Sequence, residues 1–270
     1  MAAARMTGPV FERFRLDGRV AFLSGAAGHL GRRMALALCE AGAHVILNGR
    51  NANNLNALAR EIGAAGGRAE TAAFDIGDLA QVRGYFAACT RLDIIVNNAV
   101  SMTPRPFADV QERDFSETYL SAVVAPFEIV RAARPALRKA AAETGDASIV
   151  NVSSMYGLVA PDARLYSRAE QASPFHYGPA KAALVQLTRH LAAELGGEHI
   201  RVNALAPGPF PRESISVSDP GFESRLASRT MLGRTGAAHE IGAPLLFLAS
   251  PASSFVTGAI LAVDGGWTMW

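Results

Sequence analysis

The sequence places this protein in the α/β class, as a single doubly wound domain whose parallel sheet has about seven strands with helices on both faces. Two observations predict it. Short apolar runs alternate strictly with longer segments of helical period, as βαβ crossovers require. The runs are near-continuously apolar, the pattern of strands covered on both sides.

Taken in order, RVAFLSG (19–25) is a strand that ends at glycine, and LGRRMALALCEAG (30–42) an amphipathic helix closed by Gly42. HVILNG (44–49) is the next strand, and NANNLNALAREIGAAGG (51–67) a second helix with a glycine stop. AETAAFDI (69–76), LDIIVNNA (92–99), ASIVNVSS (147–154), IRVNALAPG (200–208) and AILAVDGG (259–266) complete the strands. Helices are expected around 78–90, 111–142, 176–197 and 238–249. No linker or repeat divides the chain, so one domain should span 1–270. Residues 1–15 read as an N-terminal extension, and the loop-rich polar stretch 209–232 as a substrate lid.

Half of the 270 residues are hydrophobic, enough for a sizeable core. The net charge of +2 is scattered without a basic run, which argues against nucleic acid and anionic membranes as partners. No uninterrupted apolar window of about 18 residues predicts a membrane span. The first residues lack the apolar core of a signal peptide. Cys39 and Cys89 lie in apolar helical segments outside any CxxC pattern and read as buried thiols. A cytoplasmic protein is expected. The six histidines show no metal-ligand spacing, so no metal is expected.

The first strand meets the first helix in SGAAGHLG (24–31). Glycines there let backbone N–H groups approach a pyrophosphate closely, while the helix N-terminus faces its negative charge. This makes the fold Rossmann-type and implies a dinucleotide. An acidic residue about 20 positions further on would hold the adenosine ribose hydroxyls. The second strand instead ends in LNGRN, with Gly49 and Arg50. An arginine suits a 2′-phosphate through its planar fork of donors, which favours NADP(H). NAD(H), with Arg50 stacked on adenine, is the alternative.

Further motifs occur along the chain: NNA (97–99), NVSS (151–154), YGPAK (177–181), RVNALAPG (201–208) and VTGAILAVDGG (256–266). With the glycine turn, in this order, they resemble the classical short-chain dehydrogenases/reductases over about residues 16–267. The resemblance implies a catalytic serine, tyrosine and lysine, with the lysine four residues after the tyrosine. Among Tyr156, Tyr166 and Tyr177, only Tyr177 has that lysine, Lys181. Residues i and i+4 share a helix face, and an ammonium near a phenol favours the phenolate. Tyr177 would exchange the proton with a carbonyl or alcohol, Lys181 would tune it and hold the nicotinamide ribose beside it, and Ser154 would orient the substrate oxygen. Pro179 fits only a first helical turn, so the helix should begin near 174–176.

The resemblance also implies Gly25, Gly28 and Gly31 in the phosphate turn, with Leu30 beside it. Asp75 and Ile76 would flank adenine, Asn97 and Ala99 would support the coenzyme, and Pro207 and Gly208 would meet the nicotinamide amide. A homotetramer or homodimer is implied, with the helices near 111–142 and 176–197 at the contact.

Three departures stand out. The usual turn is TGxxxGxG, whereas His29 here holds the sixth position and Gly28 lies one earlier, as in the extended branch. Aligning on Pro126 and Phe127 puts Ala122 where a catalytic asparagine is usual, and neighbouring Ser121 is expected to point elsewhere. Ser154 and Tyr177 lie 23 residues apart, with extra chain between them. That chain should wall the pocket, with Tyr156, Tyr166 and Phe210 as substrate contacts and Arg164 or Arg168 as partner for a sugar acid. His176 reads as a surface residue, with a substrate contact as its alternative.

The expected function is an NADP(H)-dependent oxidoreductase acting on a carbonyl or secondary alcohol, of sugar or sugar-acid type. The missing asparagine supports one alternative, a non-catalytic NAD(P)-binding sensor or scaffold.

Overall fold

A computed structural model describes residues 9–167, 172–212, 219 and 221–269. Seven strands form one parallel sheet in the order β3-β2-β1-β4-β5-β6-β7. They are β1 (Val20–Leu23), β2 (His44–Gly49), β3 (Arg68–Ala73), β4 (Ile94–Asn97), β5 (Ala147–Val152), β6 (Ile200–Pro207) and β7 (Ile260–Val263). A short helix α1 (Pro9–Glu12) precedes them. Between and after the strands run α2 (His29–Glu40), α3 (Ala52–Ala64), α4 (Leu79–Ala87), α5 (Glu112–Tyr119), α6 (Ala125–Thr144), α7 (Tyr177–Leu195), α8 (Phe222–Ala227) and α9 (Gly242–Ala249).

Alternation along each strand builds two cores. In β1, Leu23 joins Val45, Leu47, Val96 and the apolar faces of α2, α3 and α9. Its neighbour Phe22 points to the other face, among Ile46, Ile95, Ile149 and residues of α4, α6 and α7. The strands β4, β5 and β6 are buried along their whole length. The edge strand β3 is largely exposed and polar, and it stops at Ala73 rather than at Ile76. Phe74, Asp75 and Ile76 turn instead towards the cleft described below.

The chain builds outward from β1 to β3, then crosses back to start β4 on the other side of β1. Loops leaving the carboxyl ends of β1 and β4 diverge at that switch point and open a crevice there. The opposite ends of the strands are closed by ion pairs. Arg19 donates to Asp146 (3.0 Å), and Arg201 holds the other carboxylate oxygen through two nitrogens at 3.1 Å. Arg201 also donates to the Leu248 and Ser250 carbonyls and to Ser253 Oγ, tying α9 to the sheet.

The expected helix over 111–142 is interrupted. A π turn, Leu120–Val124, joins α5 to α6. Within the expected lid, residues 213–218 and 220 lie outside the described residues, and the described remainder includes the helix α8. No described helix is long and apolar enough to cross a membrane.

Truncating Arg201 leaves a largely buried carboxylate with half its partners. Arg201→Met should lower unfolding stability by about 3 kcal/mol in a urea titration. A loss below about 1 kcal/mol would show that Arg19 alone satisfies Asp146.

Candidate active site

Beyond the end of β5, Ser154 Oγ accepts the Tyr156 N–H at 3.1 Å and caps a 3₁₀ turn, Met155–Gly157. The turn lies against α7. A Cβ on Gly157 would come within 2.8 Å of Ser153 Oγ and 2.9 Å of the Lys181 carbonyl carbon, so only glycine allows the approach. Ser153 Oγ donates to the Lys181 carbonyl at 2.9 Å. Helix α7 begins at Tyr177, with His176 before it, and Pro179 falls in the first turn, where its missing N–H costs nothing.

These contacts bring Ser154, Tyr177 and Lys181 together in one cleft of about 470 Å³. Lys181 Nζ is buried, donates to the Val152 carbonyl at 2.6 Å and lies 5.7 Å from the centre of the Tyr177 ring. Burial pushes the lysine down to about 8. Burial raises the Tyr177 hydroxyl, and its hydrogen bond to Ser154 acts in the opposite direction. The expected lowering of Tyr177 is therefore not found. The ammonium spends a hydrogen bond on a carbonyl, and the phenol is shielded from water.

The same cleft is lined by Gly25, Gly28, Leu30 and Gly31, by Arg50, Asp75 and Ile76, and by Ala99, Pro207 and Gly208. The turn has no room for side chains. Gly25 has φ of 65°, and a Cβ on Gly31 would stand 2.1 Å from the Gly25 carbonyl. Arg50 is 74% exposed at the tip of β2, with Nη1 3.9 Å from Asp75. That pair is long and solvent-exposed, so an anionic ligand could displace it. These residues fit a dinucleotide: close-approach glycines, an uncapped helix start and an exposed arginine at the tip of β2.

Not every sequence-predicted residue reaches the cleft. Asn97 is buried and donates to Asn151 at 2.8 Å, bridging β4 to β5. Its neighbour Asn98, missed in the sequence, lines the cleft and donates to the Ser24 and Gly25 carbonyls. Asn97 is the last residue of β4 and its side chain is taken by β5, whereas Asn98 and Ala99 follow the strand end and both meet the turn. Arg164 is 85% exposed and locked onto Asp162 through two hydrogen bonds, away from the cleft lining. Arg168 lies outside the described residues.

Tyr156 and Tyr166 share a hydroxyl–hydroxyl hydrogen bond of 2.8 Å and pack in one apolar cluster with Trp267. Phe210 lines the cleft. Arg229, unremarked in the sequence, stands 6.0 Å over the Trp267 ring and bears on Asp162.

The chain around position 122 differs from expectation. Ala122 is buried against Val123 and Ala180. Ser121 was expected to point elsewhere, yet it lines the cleft, because the wider π turn shifts the register of the helix face. Its hydroxyl accepts the Ser101 N–H at 2.9 Å. His176 is neither at the surface nor in the cleft lining. It is 1% exposed, with Nδ1 2.8 Å from Thr118 Oγ1 and Nε2 3.2 Å from the Thr103 carbonyl.

A family model described as Enoyl-(Acyl carrier protein) reductase matches residues 25–268. The galactitol 2-dehydrogenase (L-tagatose-forming) of Cereibacter sphaeroides is 36% identical over 262 residues, covering 95% of this chain and 98% of that one. Among solved structures, the Pseudomonas aeruginosa RhlG/NADP active-site complex superposes with a TM-score of 0.85 at 32% identity, over 95% of this chain and 99% of that one. A gluconate 5-dehydrogenase from Burkholderia cenocepacia in complex with NADP and tartrate gives 0.84 at 32% identity, over 96% and 99%.

The buried lysine has a signature in stability. In the unfolded chain it holds its proton up to about pH 10.4, but in the folded protein only to about 8. Between these values the unfolded state binds more protons, so stability rises with pH across that window. Burial raises the Cys39 and Cys89 thiols, which lowers stability across the same window in the wild type and in a Lys181→Met variant alike. In urea unfolding the wild type should therefore gain about 1.5 kcal/mol more than Lys181→Met from pH 8 to 9.5; an equal change in both would assign it to another group.

Proposed function

This chain belongs to the short-chain dehydrogenase/reductase family, and on that premise we propose that it is an NADP(H)-dependent oxidoreductase acting on polyols or sugar acids. The observation that carries the reading is the convergence of Ser154, Tyr177 and Lys181 in the cleft that also holds the glycine turn. When bound there, the dinucleotide supplies or accepts the hydride at the substrate carbon.

The protein's own groups handle the proton and the geometry. In reduction, the Tyr177 hydroxyl donates its proton to the carbonyl oxygen while that carbon gains hydride, and in oxidation it takes the proton from the alcohol. Ser154 hydrogen-bonds the same oxygen and sets its distance from Tyr177. Lys181 would hold the ribose of the coenzyme, and its ammonium beside the Tyr177 ring stabilises the phenolate that forms. Holding both reactants in one cleft removes most of the entropic cost of their meeting.

The substrate class rests on the relatives, which include a galactitol dehydrogenase and a gluconate dehydrogenase. The preference for NADP(H) rests on Arg50 in place of an acidic residue and on relatives solved with NADP. We also read the protein as cytoplasmic from its two free cysteines, and as a homotetramer or homodimer. Phe115 and Tyr119 on α5 and Phe127 on α6, all more than two-fifths exposed, support a contact between copies there. A sensor without turnover is the second reading, favoured by Ala122 at the usual asparagine position.

Following NADPH and NADH absorbance with a panel of ketoses and keto acids, and the reverse reaction with galactitol and gluconate, separates the readings. Turnover with NADPH is expected, and coenzyme binding without turnover across the panel would favour the sensor. Tyr177→Phe should lower kcat/KM by about 10²–10⁴-fold with coenzyme affinity unchanged. Arg50→Ala should weaken NADPH about 10- to 100-fold and leave NADH within about twofold. Equal losses for both coenzymes would remove the 2′-phosphate assignment.

A further inference from the structure

The glycine turn contains one side chain that its geometry does not require. His29 is the first residue of α2 and occupies the sixth position of the turn, where the family pattern has glycine. Its ring lines the cleft beside Gly28 and Leu30. Its Nε2 atom is buried and finds no hydrogen-bond partner among the described residues. The residue before it, Gly28, provides no side-chain cap, so the leading N–H groups of α2 are also unpaired by side chains. From the loop after β6, Arg212 reaches the same part of the cleft. The free imidazole nitrogen, which becomes a donor once protonated, lines the same cleft as the uncapped helix N–H groups and the guanidinium. A diphosphate supplies acceptor oxygens and two negative charges.

We propose that His29 is a ligand of the coenzyme's diphosphate, acting beside Arg212, and that it takes up a proton as the coenzyme binds. This rests on the coenzyme reading above and goes beyond it. Burial holds the imidazole below its ordinary value, helped by Arg212 and by Arg33 on its own helix. A hydrogen bond to the Phe210 backbone works against them. The charged groups acting on the ring are thus both cations, one from α2 and one from the loop after β6. Two phosphate charges arriving beside it reverse that balance and favour imidazolium. Binding therefore tightens as pH falls, and the gain is lost as pH rises above the bound-state value of His29.

The test uses NADH, because the 2′-phosphate of NADPH titrates near neutrality itself. Calorimetry at pH 7.5 in phosphate and in Tris should give different binding enthalpies, the difference reporting uptake of a fraction of a proton. The Kd should rise about three- to tenfold from pH 6.5 to 8.5, within the tenfold per unit that one proton permits. His29→Gly restores the family residue, and His29→Gln keeps a donor without a charge. Both should take up less of a proton and show a flatter pH profile than the wild type, the remainder belonging to Lys181, which titrates at about 8. Proton uptake that is undiminished in either variant, or absent from the wild type, would overturn the proposal while leaving the coenzyme reading intact. Failure of the wild type to bind either NADH or NADPH would overturn both.

Discussion

The site depends on one packing contact, the seat of α7 on the carboxyl end of β5. Ser153 donates to the Lys181 carbonyl, Lys181 Nζ donates to the Val152 carbonyl, and Gly157 lets the intervening turn lie against the helix without a clash. Each contact uses backbone atoms on one side, so the position of α7 is insensitive to most side chains around it. Ser154 on one anchor and Tyr177 on the other are then held in register whatever chain connects them. This is why an unusually long connection is compatible with the site. The extra residues leave the strand end through 3₁₀ turns and return at His176, which is itself locked between Thr118 and the Thr103 carbonyl.

A second constraint acts at the other half of the cleft. The polarity of a parallel sheet directs its strand ends to one edge, and the reversal between β1 and β4 opens the crevice there. The turn after β1 closes so tightly that the Gly25 carbonyl occupies the space a Gly31 side chain would need. Asn98, from the end of β4, fastens that turn through two backbone carbonyls. The two halves of the cleft therefore share the central strands as a rigid frame, and differences in chemistry reside in the loops around it.

The departure at Ala122 has a structural counterpart. The π turn between α5 and α6 gives this helix an extra residue per turn at the level of the cleft. Ser121 is rotated into the lining while Ala122 packs into an apolar cluster. The position that usually carries an amide is thus filled by a methyl group, and a hydroxyl stands next to it in a different direction. Lys181 donates to the Val152 carbonyl instead of to any group on this helix.

Much of this was legible in the sequence. Alternating apolar runs and helical segments gave seven strands in a parallel sheet because local burial period is written in residue order. The spacing of Tyr177 and Lys181 put the two side chains in one cleft, because i and i+4 share a helix face wherever the helix is placed. Pro179 located the start of α7 for an equally local reason. Only tertiary structure decided which residue of Asn97 and Asn98 faces the turn, because that depends on partners far away in the chain, Asn151 for one and the Ser24 and Gly25 carbonyls for the other. It alone withdrew Arg164 onto Asp162, buried His176 and rotated Ser121 inward, since each depends on partners far away in the chain. The titration of Tyr177 also belonged to the fold: the sequence supplied the neighbouring ammonium, but burial, a property of the whole packed molecule, determined its direction.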